Sequence, residues 1–139
     1  MIDFDPTSPD SYRFWTTEHV RFADLDMLGH VNNKAYATYL ETARVDFGRA
    51  CGLSDNADKS MALVRLEIDY RAEIRYPANP RVGIRLSRLG NSSLTLAYAI
   101  FDGETCAATA LSIGVRFDGQ ARRSCPFTET ERRALEAYL

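Results

Sequence analysis

The stretch RFADLDMLGHVNNKAYATYLETAR, residues 21–44, joins a polar loop to an amphipathic segment. Apolar residues in and just after its second half recur at i, i+3, i+4, i+7 and i+11, which form one stripe on an α-helix. These residues are Tyr36, Tyr39, Leu40, Ala43 and Phe47. Asn32 or Asn33 can cap the start of such a helix, and Gly52 lies where helices often end. The spacing therefore predicts a helix over residues 32–50.

After this helix and a predicted loop at residues 53–60, the pattern changes to a period of two, which is typical of half-buried strands. The predicted strands cover residues 64–71, 81–86, 94–100 and 105–117. Turn residues such as Pro77, Gly90 and Gly103 separate them. Four consecutive strands joined by short turns are expected to pair antiparallel as a curved meander.

Three further elements flank this pattern. Residues 1–10 predict a loose N-terminal tail, and aromatic and β-branched residues predict a strand at 12–22. Thr128 and Glu131 have capping-box spacing and predict a short helix over 128–139.

The fold class that follows is α+β, within one domain over residues 1–139. The helix has one apolar stripe, which it must bury against the sheet. We therefore expect a curved antiparallel five-stranded sheet wrapped around a central long helix. The open edges of such a sheet favour pairing between copies of the chain, as a homodimer or homotetramer.

The composition agrees with this expectation. The chain has 139 residues, of which 45% are hydrophobic and 26% charged, which is usual for a globular protein of one domain. No apolar stretch approaches the roughly 20 residues that span a bilayer, so we expect no membrane partner. The formal charge of -2 argues against a nucleic-acid partner.

The cysteines and the first residues indicate the compartment. The three cysteines are far apart and show no CxxC spacing, which argues against disulfides and a zinc site. The first ten residues lack the basic-then-apolar pattern of a signal peptide. We therefore expect a cytoplasmic protein without a metal or redox cofactor.

The loop before the helix has the residue types of an acyl-transfer site. Asp26 can supply a carboxylate, Gly29 lets a substrate approach the backbone, and His30 can hydrogen-bond a carbonyl group. The exposed N–H groups at a helix start stabilise negative charge on an attacked carbonyl oxygen. Taken by itself, Asp26 could also simply cap the turn.

The string D-x-x-G-H-V-N-N at residues 26–33, followed by Tyr36 and Glu41-x-Ala43-Arg44, resembles the signature of a known family. It is similar to hotdog-fold acyl-CoA thioesterases of the hydroxybenzoyl-CoA thioesterase-like group. The resemblance implies hydrolysis of a small-molecule acyl-CoA to the free acid and coenzyme A, which is part of the substrate and not a cofactor. Asp26 then matches the catalytic aspartate, as nucleophile or as base, and the Gly29 N–H would polarise the thioester oxygen.

Other residues receive roles from the same resemblance. His30 would act in the catalytic loop, and Asn33 would contact the acyl group. Tyr36 belongs either to the core or to the substrate site, and Glu41 either is catalytic or pairs with Arg44. The remaining substrate-binding candidates, at a turn where some relatives hold the coenzyme A phosphates, are Arg88, Asn91 and Ser92.

Two alternatives remain open at this point. One is a hotdog hydratase or dehydratase that acts on acyl thioesters through an acidic residue and a histidine. The other is a non-catalytic module that binds acyl-CoA.

Overall fold

The computed structural model describes residues 3–53 and 55–139. Within these residues it has two α-helices, α1 (Asn33–Ala50) and α2 (Glu129–Glu136). Its strands are β1 (Phe14–Thr17), β2 (Lys59–Tyr70), β3 (Arg81–Leu89), β4 (Ser93–Asp102), β5 (Thr105–Asp118) and β6 (Arg123–Ser124). Short 3-10 helices cover Pro9–Ser11 and Phe22–Asp24. The first two residues of the predicted tail, and Ser54 of the predicted loop, lie outside the described residues.

The predicted long helix is confirmed as α1. All five residues of its apolar stripe are buried in the main core. Asn32 is the N-cap, and its side-chain oxygen accepts from the Lys34 N–H at 2.9 Å. Gly52 follows the helix end with a φ of 73°, a conformation that favours glycine. Neither α1 nor α2, the α-helices of the described ranges, is both long and apolar enough to cross a bilayer.

The sheet is antiparallel and curves around α1, which confirms the predicted α+β hotdog architecture. Its strand order is β1-β3-β4-β5-β2, and β6 pairs with the end of β5. The prediction of a four-strand meander is wrong for β2, because β2 pairs with β5 and not with β3. Residues 71–80 between β2 and β3 are too long for a tight turn and contain Pro77 and Pro80. They pass beside the start of α1, where the Val31 N–H donates to the Ile74 carbonyl at 2.8 Å.

The first strand is shorter than the predicted range of 12–22. It pairs with β3 only from Phe14 to Thr17. The Glu18 and Val20 N–H groups then donate to the carbonyls of Pro80 and Ala78, at 2.8 and 3.1 Å. Residues 18–20 thus leave the sheet and run beside the β2–β3 connection, because their N–H groups find acceptors in that connection.

The predicted alternation holds in the central strands and only partly in β2. Every predicted inward residue of β3 and β4 is buried: Val82, Ile84, Leu86, Leu94, Leu96, Tyr98 and Ile100. In β2, Leu66 and Ile68 pack on the core, whereas Val64 and Tyr70 are exposed. The register shifts between Leu63 and Arg65, so an irregularity turns Val64 away from the core.

The C-terminal helix packs against β5 through a buried ion pair. Thr128 and Glu131 form the predicted capping box, with hydrogen bonds of 3.1 and 2.9 Å. Glu131 also accepts from the Arg116 guanidinium at 2.6 Å, and the Arg116 side chain is fully buried. Helix α2 therefore closes the end of the sheet that holds the β3–β4 turn.

N-terminal aromatic residues cover the outer face of the sheet. Tyr12 packs with Phe4 and Trp15 in edge-to-face geometry, and its hydroxyl donates to the Pro6 carbonyl at 2.6 Å. Gly83 on β3 lies directly beneath these rings. A Cβ at Gly83 would lie 2.8 Å from the Cβ of Tyr12 and 2.9 Å from the Trp15 ring.

We predict that Gly83→Ala lowers the free energy of unfolding by about 1–3 kcal/mol, because the added methyl group overpacks this contact. Chemical denaturation measures the effect. Gly48→Ala is the matched control, because its Cβ would meet only ordinary contacts of 3.9 Å or more. Alanine in place of a helical glycine is expected to be neutral or to stabilise by about 0.5–1 kcal/mol. Equal stability of Gly83→Ala and the parent would mean that the aromatic cover is not packed against β3.

Candidate active site

A tight turn immediately before α1 holds the predicted catalytic aspartate. The Gly29 N–H donates to the Asp26 carbonyl at 3.1 Å, and the Asp26 N–H donates to the His30 carbonyl at 3.0 Å. Gly29 has a φ of 84°, which explains why glycine stands there. Met27 and Leu28 form the exposed tip. The turn therefore fixes the Asp26 backbone on both sides.

The two carboxylate oxygens of Asp26 differ in their surroundings. Oδ1 accepts from the Leu28 N–H at 2.9 Å and closes the turn. Within residues 3–53 and 55–139, Oδ2 has no hydrogen-bond partner, and the side chain is partly exposed. The capping and catalytic interpretations are therefore compatible, because each needs a different oxygen.

Asp24, the other carboxylate of the loop, has a structural role. It is buried and accepts from the Tyr39 hydroxyl at 2.7 Å and from the Arg21 N–H and guanidinium at 2.9 Å. Burial by itself would raise the pKa of Asp24, but these hydrogen bonds outweigh burial and hold the pKa below its ordinary value. Burial and the contact with Asp24 raise the pKa of Tyr39. Asp24 is therefore an ionised carboxylate whose hydrogen bonds connect the loop to α1.

His30 lies beside an ion pair that the sequence did not indicate. Its Nε2 atom is 3.5 Å from Oε2 of Glu73, and the Arg75 guanidinium donates to Oε1 of Glu73 at 2.8 Å. The His30 backbone also forms a bridge with Arg75. Glu73 and Arg75 belong to the β2–β3 connection, and no motif or periodicity points to that segment.

Asn33 and Tyr36 are held at the start of α1. The Tyr36 hydroxyl donates to the Ala72 carbonyl at 3.0 Å, and the Tyr70 hydroxyl donates to the Asn33 carbonyl at 3.2 Å. Tyr36 is buried in the core, which raises the pKa of its hydroxyl, whereas Asn33 is exposed. Of these two candidates, Asn33 is the one that a substrate reaches without rearrangement.

The predicted oxyanion donor is part of the turn. Because the Gly29 N–H already donates to the Asp26 carbonyl, a substrate oxygen must share this N–H or replace that carbonyl. The role of Gly29 therefore stays a prediction.

Glu41 does not join the Asp26 turn within one chain. It lies eight residues beyond Asn33, which corresponds to about 12 Å along the helix axis. Its side chain is 69% exposed and lies 4.0 Å from the Arg44 guanidinium. Glu41 lines a cavity of about 390 Å³ between the second half of α1 and the inner face of the sheet.

Arg88, Asn91 and Ser92 lie at the opposite end of the sheet from Asp26. The β2–β3 connection beside the Asp26 turn leads into β3 at Arg81, and the β3–β4 turn follows about 30 Å further on. The Asn91 and Ser92 carbonyls accept from the N–H groups of Phe127 and Arg116. Arg88 is exposed. One chain therefore does not bring these residues to Asp26.

Cys51 is unsuited to act as a nucleophile. It is buried at the end of α1, and burial raises the pKa of its thiol to about 11. Very little reactive thiolate is then present near neutral pH.

The curled sheet, the helix that it wraps and the acidic turn at the helix start are those of a hotdog-type thioester hydrolase. Residues 20–135 match the thioesterase-like superfamily, and the chain belongs to this family. This membership favours a hydrolase over the hydratase and the non-catalytic module.

Similar proteins are found in several bacteria. The uncharacterized protein YsmA of Bacillus subtilis (strain 168) is 27% identical over 128 residues, which cover 90% of this chain and 86% of YsmA. The crystal structure of PA5185 from Pseudomonas aeruginosa has a TM-score of 0.86 at 27% identity and covers 93% of both chains. A thioesterase from Thermus thermophilus, complexed with coenzyme A and Zn, is 30% identical with a TM-score of 0.81. The match covers 93% of this chain and 96% of the Thermus chain.

Asp24→Asn is predicted to lower the free energy of unfolding by about 1–3 kcal/mol at pH 7, because a buried charged hydrogen bond is lost. The folded-state pKa of Asp24 lies below the reference value of 3.8, so the unfolded chain takes up the proton first as the pH falls. The stabilisation is therefore complete above about pH 4 and is lost as the pH falls through the folded-state pKa. Urea denaturation at pH 7 and near pH 3 measures the free energy of unfolding of parent and variant. We expect the difference between these two free energies to be smaller near pH 3 than at pH 7. If the difference in unfolding free energy did not depend on pH, the charge of Asp24 would not be what stabilises the fold. Asp10→Asn, in the exposed N-terminal segment, serves as the control.

Proposed function

We propose that the protein is an acyl-CoA thioesterase in which Asp26 attacks the thioester or activates the attacking water. The observation that carries this proposal is the Oδ2 atom of Asp26, which has no hydrogen-bond partner in the described part of the chain and lies at a turn that leads into the start of α1. The similar thioesterase from Thermus thermophilus was crystallised with coenzyme A, which supports a ligand of this type.

Both routes of hydrolysis suit this geometry. As a nucleophile, Asp26 forms a C–O bond to the thioester carbon, the C–S bond breaks, and water then hydrolyses the mixed anhydride. As a base, Asp26 takes a proton from water as that water forms a C–O bond to the thioester carbon, the C–S bond then breaks, and the proton ends on the departing coenzyme A sulfur. In each route the carbonyl oxygen gains negative charge near the N-terminus of α1, where the positive end of the helix dipole stabilises it.

His30 would orient the acyl thioester beside Asp26. Its ring faces Glu73, which Arg75 holds in place from the same segment. A histidine positioned by a carboxylate presents its other ring nitrogen in a fixed direction. Asn33, exposed at the first turn of α1, would contact the acyl group from the helix side.

The proposed active site is completed by a second copy of the chain. Strand β2 is an edge of the sheet and carries exposed Leu63, Val64 and Tyr70. If two β2 strands pair antiparallel about a two-fold axis, the Tyr70 end of one lies beside the Lys59 end of the other. The Asp26 turn then approaches the end of the partner sheet that holds its Glu41 cavity and its β3–β4 turn. A homodimer thus unites candidates that one chain keeps apart.

Asp26→Asn tests the central residue. Asparagine keeps an oxygen that accepts from the Leu28 N–H, so the turn survives while the anionic oxygen is lost. Removal of an acid–base group typically lowers the rate roughly 10²- to 10⁴-fold, and we expect a loss of this size in thiol release from an acyl-CoA panel.

Asp118→Asn is the matched control for this variant. The Asp118 side chain closes a similar turn by accepting from the Gln120 and Ala121 N–H groups at 2.9 and 3.0 Å. We expect it to keep parental activity. Full activity of Asp26→Asn would remove Asp26 from its proposed role. Loss of enoyl-CoA absorbance without thiol release would instead indicate a hydratase.

Mixing two inactive variants tests whether the active site is shared. If Asp26 and Glu41 act on the same substrate from different subunits, Asp26→Asn and Glu41→Gln dimers are each impaired, but a mixed dimer has one intact site. Equal co-expression makes half of the dimers mixed, so we expect activity to recover to about a quarter of the parental value.

The two alternatives to sharing give different results. If both residues act within one chain, every mixed dimer has two damaged sites and nothing is recovered. If Glu41 has no role, the Glu41→Gln dimer is fully active by itself. Size-exclusion chromatography of each preparation verifies that the subunits associate.

A further inference from the structure

A cavity lies beneath the second half of α1, between this helix and the inner face of the sheet, and is called the α1 cavity below. It has a volume of about 390 Å³. Its apolar walls come from Leu53, Met61, Leu94 and Leu96. Such walls suit the carbon chain of an acyl group.

The charged residues of the α1 cavity divide into an exposed rim and a buried interior. Glu41, Arg49 and Asp55 line its rim and are exposed. Arg44 also lines the cavity, but its side chain is only 19% exposed. Inside the rim, the fixed charge that a ligand meets is therefore positive.

Arg44 has few protein partners for a partly exposed guanidinium group. Its Nη1 donates to the Tyr98 hydroxyl at 3.4 Å, and its Nη2 is 4.0 Å from the exposed Glu41 carboxylate. Both contacts are long, and an arginine has five N–H donors. Among the residues that the structure describes, most of these donors have no protein partner and are open to water or to a ligand in the cavity.

A buried polar pair lies beside Arg44 at the base of the cavity. The Tyr98 hydroxyl and the Ser112 hydroxyl share a hydrogen bond of 2.6 Å, and both residues are buried. The Tyr98 hydroxyl is therefore fixed in position next to the Arg44 guanidinium. The α1 cavity thus combines apolar walls with one cation.

We infer that the α1 cavity binds an acyl group that ends in a carboxylate, which Arg44 recognises through its unpaired donors. Two oxygens of a carboxylate match the fork of an arginine side chain, and the methylene chain contacts the apolar walls. This inference rests on the proposed function, because it specifies which acyl-CoA is the substrate. The exposed Glu41 carboxylate contacts Arg44 only at 4.0 Å, so it leaves the guanidinium available to a ligand.

Binding to the catalytically impaired Asp26→Asn protein tests the inference without turnover. The probes are glutaryl-CoA, whose acyl group ends in a carboxylate, and the same thioester with that carboxylate capped as a methyl ester. Calorimetry is expected to show glutaryl-CoA binding roughly 10- to 100-fold more tightly, which is the range for a charged hydrogen bond. Adding Arg44→Met is expected to abolish this difference between the two probes.

Control variants separate recognition from folding. Arg49→Met removes a rim cation and is expected to keep the preference for the carboxylate. Arg44→Lys retains the charge and is expected to keep part of the preference. If Arg44→Met does not fold, as judged by its melting transition, the Arg44→Lys variant and the two probes with Asp26→Asn still decide the question.

Three results would overturn the inference: equal affinity for both probes, an unchanged preference in Arg44→Met, or tighter binding of 5-hydroxypentanoyl-CoA than of glutaryl-CoA. Failure of the proposed function gives a different result, since the parent protein would then release no thiol from any acyl-CoA. If the parent releases thiol from uncharged acyl-CoA without preferring glutaryl-CoA, the proposed function holds and the inference fails.

Discussion

The hydrogen bond from the Tyr39 hydroxyl to the buried Asp24 carboxylate is the constraint on which the site depends. Tyr39 belongs to the apolar stripe of α1, so its position is set by packing against the sheet. Asp24 also accepts from the Asn32 N–H through its carbonyl at 2.8 Å, which closes the loop over residues 24–32. The turn that carries Asp26 is thereby connected to α1 by two hydrogen bonds of Asp24, one to Tyr39 and one to the N-cap residue Asn32. Packing of the core thus determines where the proposed catalytic carboxylate stands.

Two aspartates separated by one residue have opposite environments, and this difference assigns their roles. Asp24 is buried and satisfied by three hydrogen bonds, so it has no oxygen to offer a substrate. Asp26 is partly exposed and uses Oδ1 for the turn, whereas its Oδ2 has no hydrogen-bond partner among the residues that the structure describes. A catalytic carboxylate must be rigid and yet incompletely paired, and a short turn meets both needs by using one oxygen only. Environment, rather than residue type, distinguishes the structural acid from the proposed catalytic one.

The sequence-based predictions succeeded where local patterns determine the structure and failed where contacts between distant segments determine it. Helix α1 and strands β3 and β4 are determined by the side chains that they bury, so periodicity located them. The placement of β2 beside β5 depends on a pairing between distant segments, and the local pattern of Leu66 and Ile68 is the same beside either neighbour. A motif made Asp26 a candidate, whereas Glu73 and Arg75 reach His30 only because the β2–β3 connection crosses the start of α1. Contacts made by an irregular segment leave no periodic signal in the sequence.

The dimensions of one subunit explain why the proposed site needs two. The Asp26 turn and the β3–β4 turn lie at opposite ends of β3, about 30 Å apart, and a rigid sheet cannot bring them together. A two-fold axis that relates antiparallel β2 strands reverses one sheet relative to the other. The end of the partner sheet that holds its β3–β4 turn then lies near the Asp26 turn of the first copy. The same reversal brings the α1 cavity, with Arg44 at its base, towards the Asp26 turn of the other copy. In the proposed dimer, the exposed apolar residues on β2 form part of the contact between the two copies.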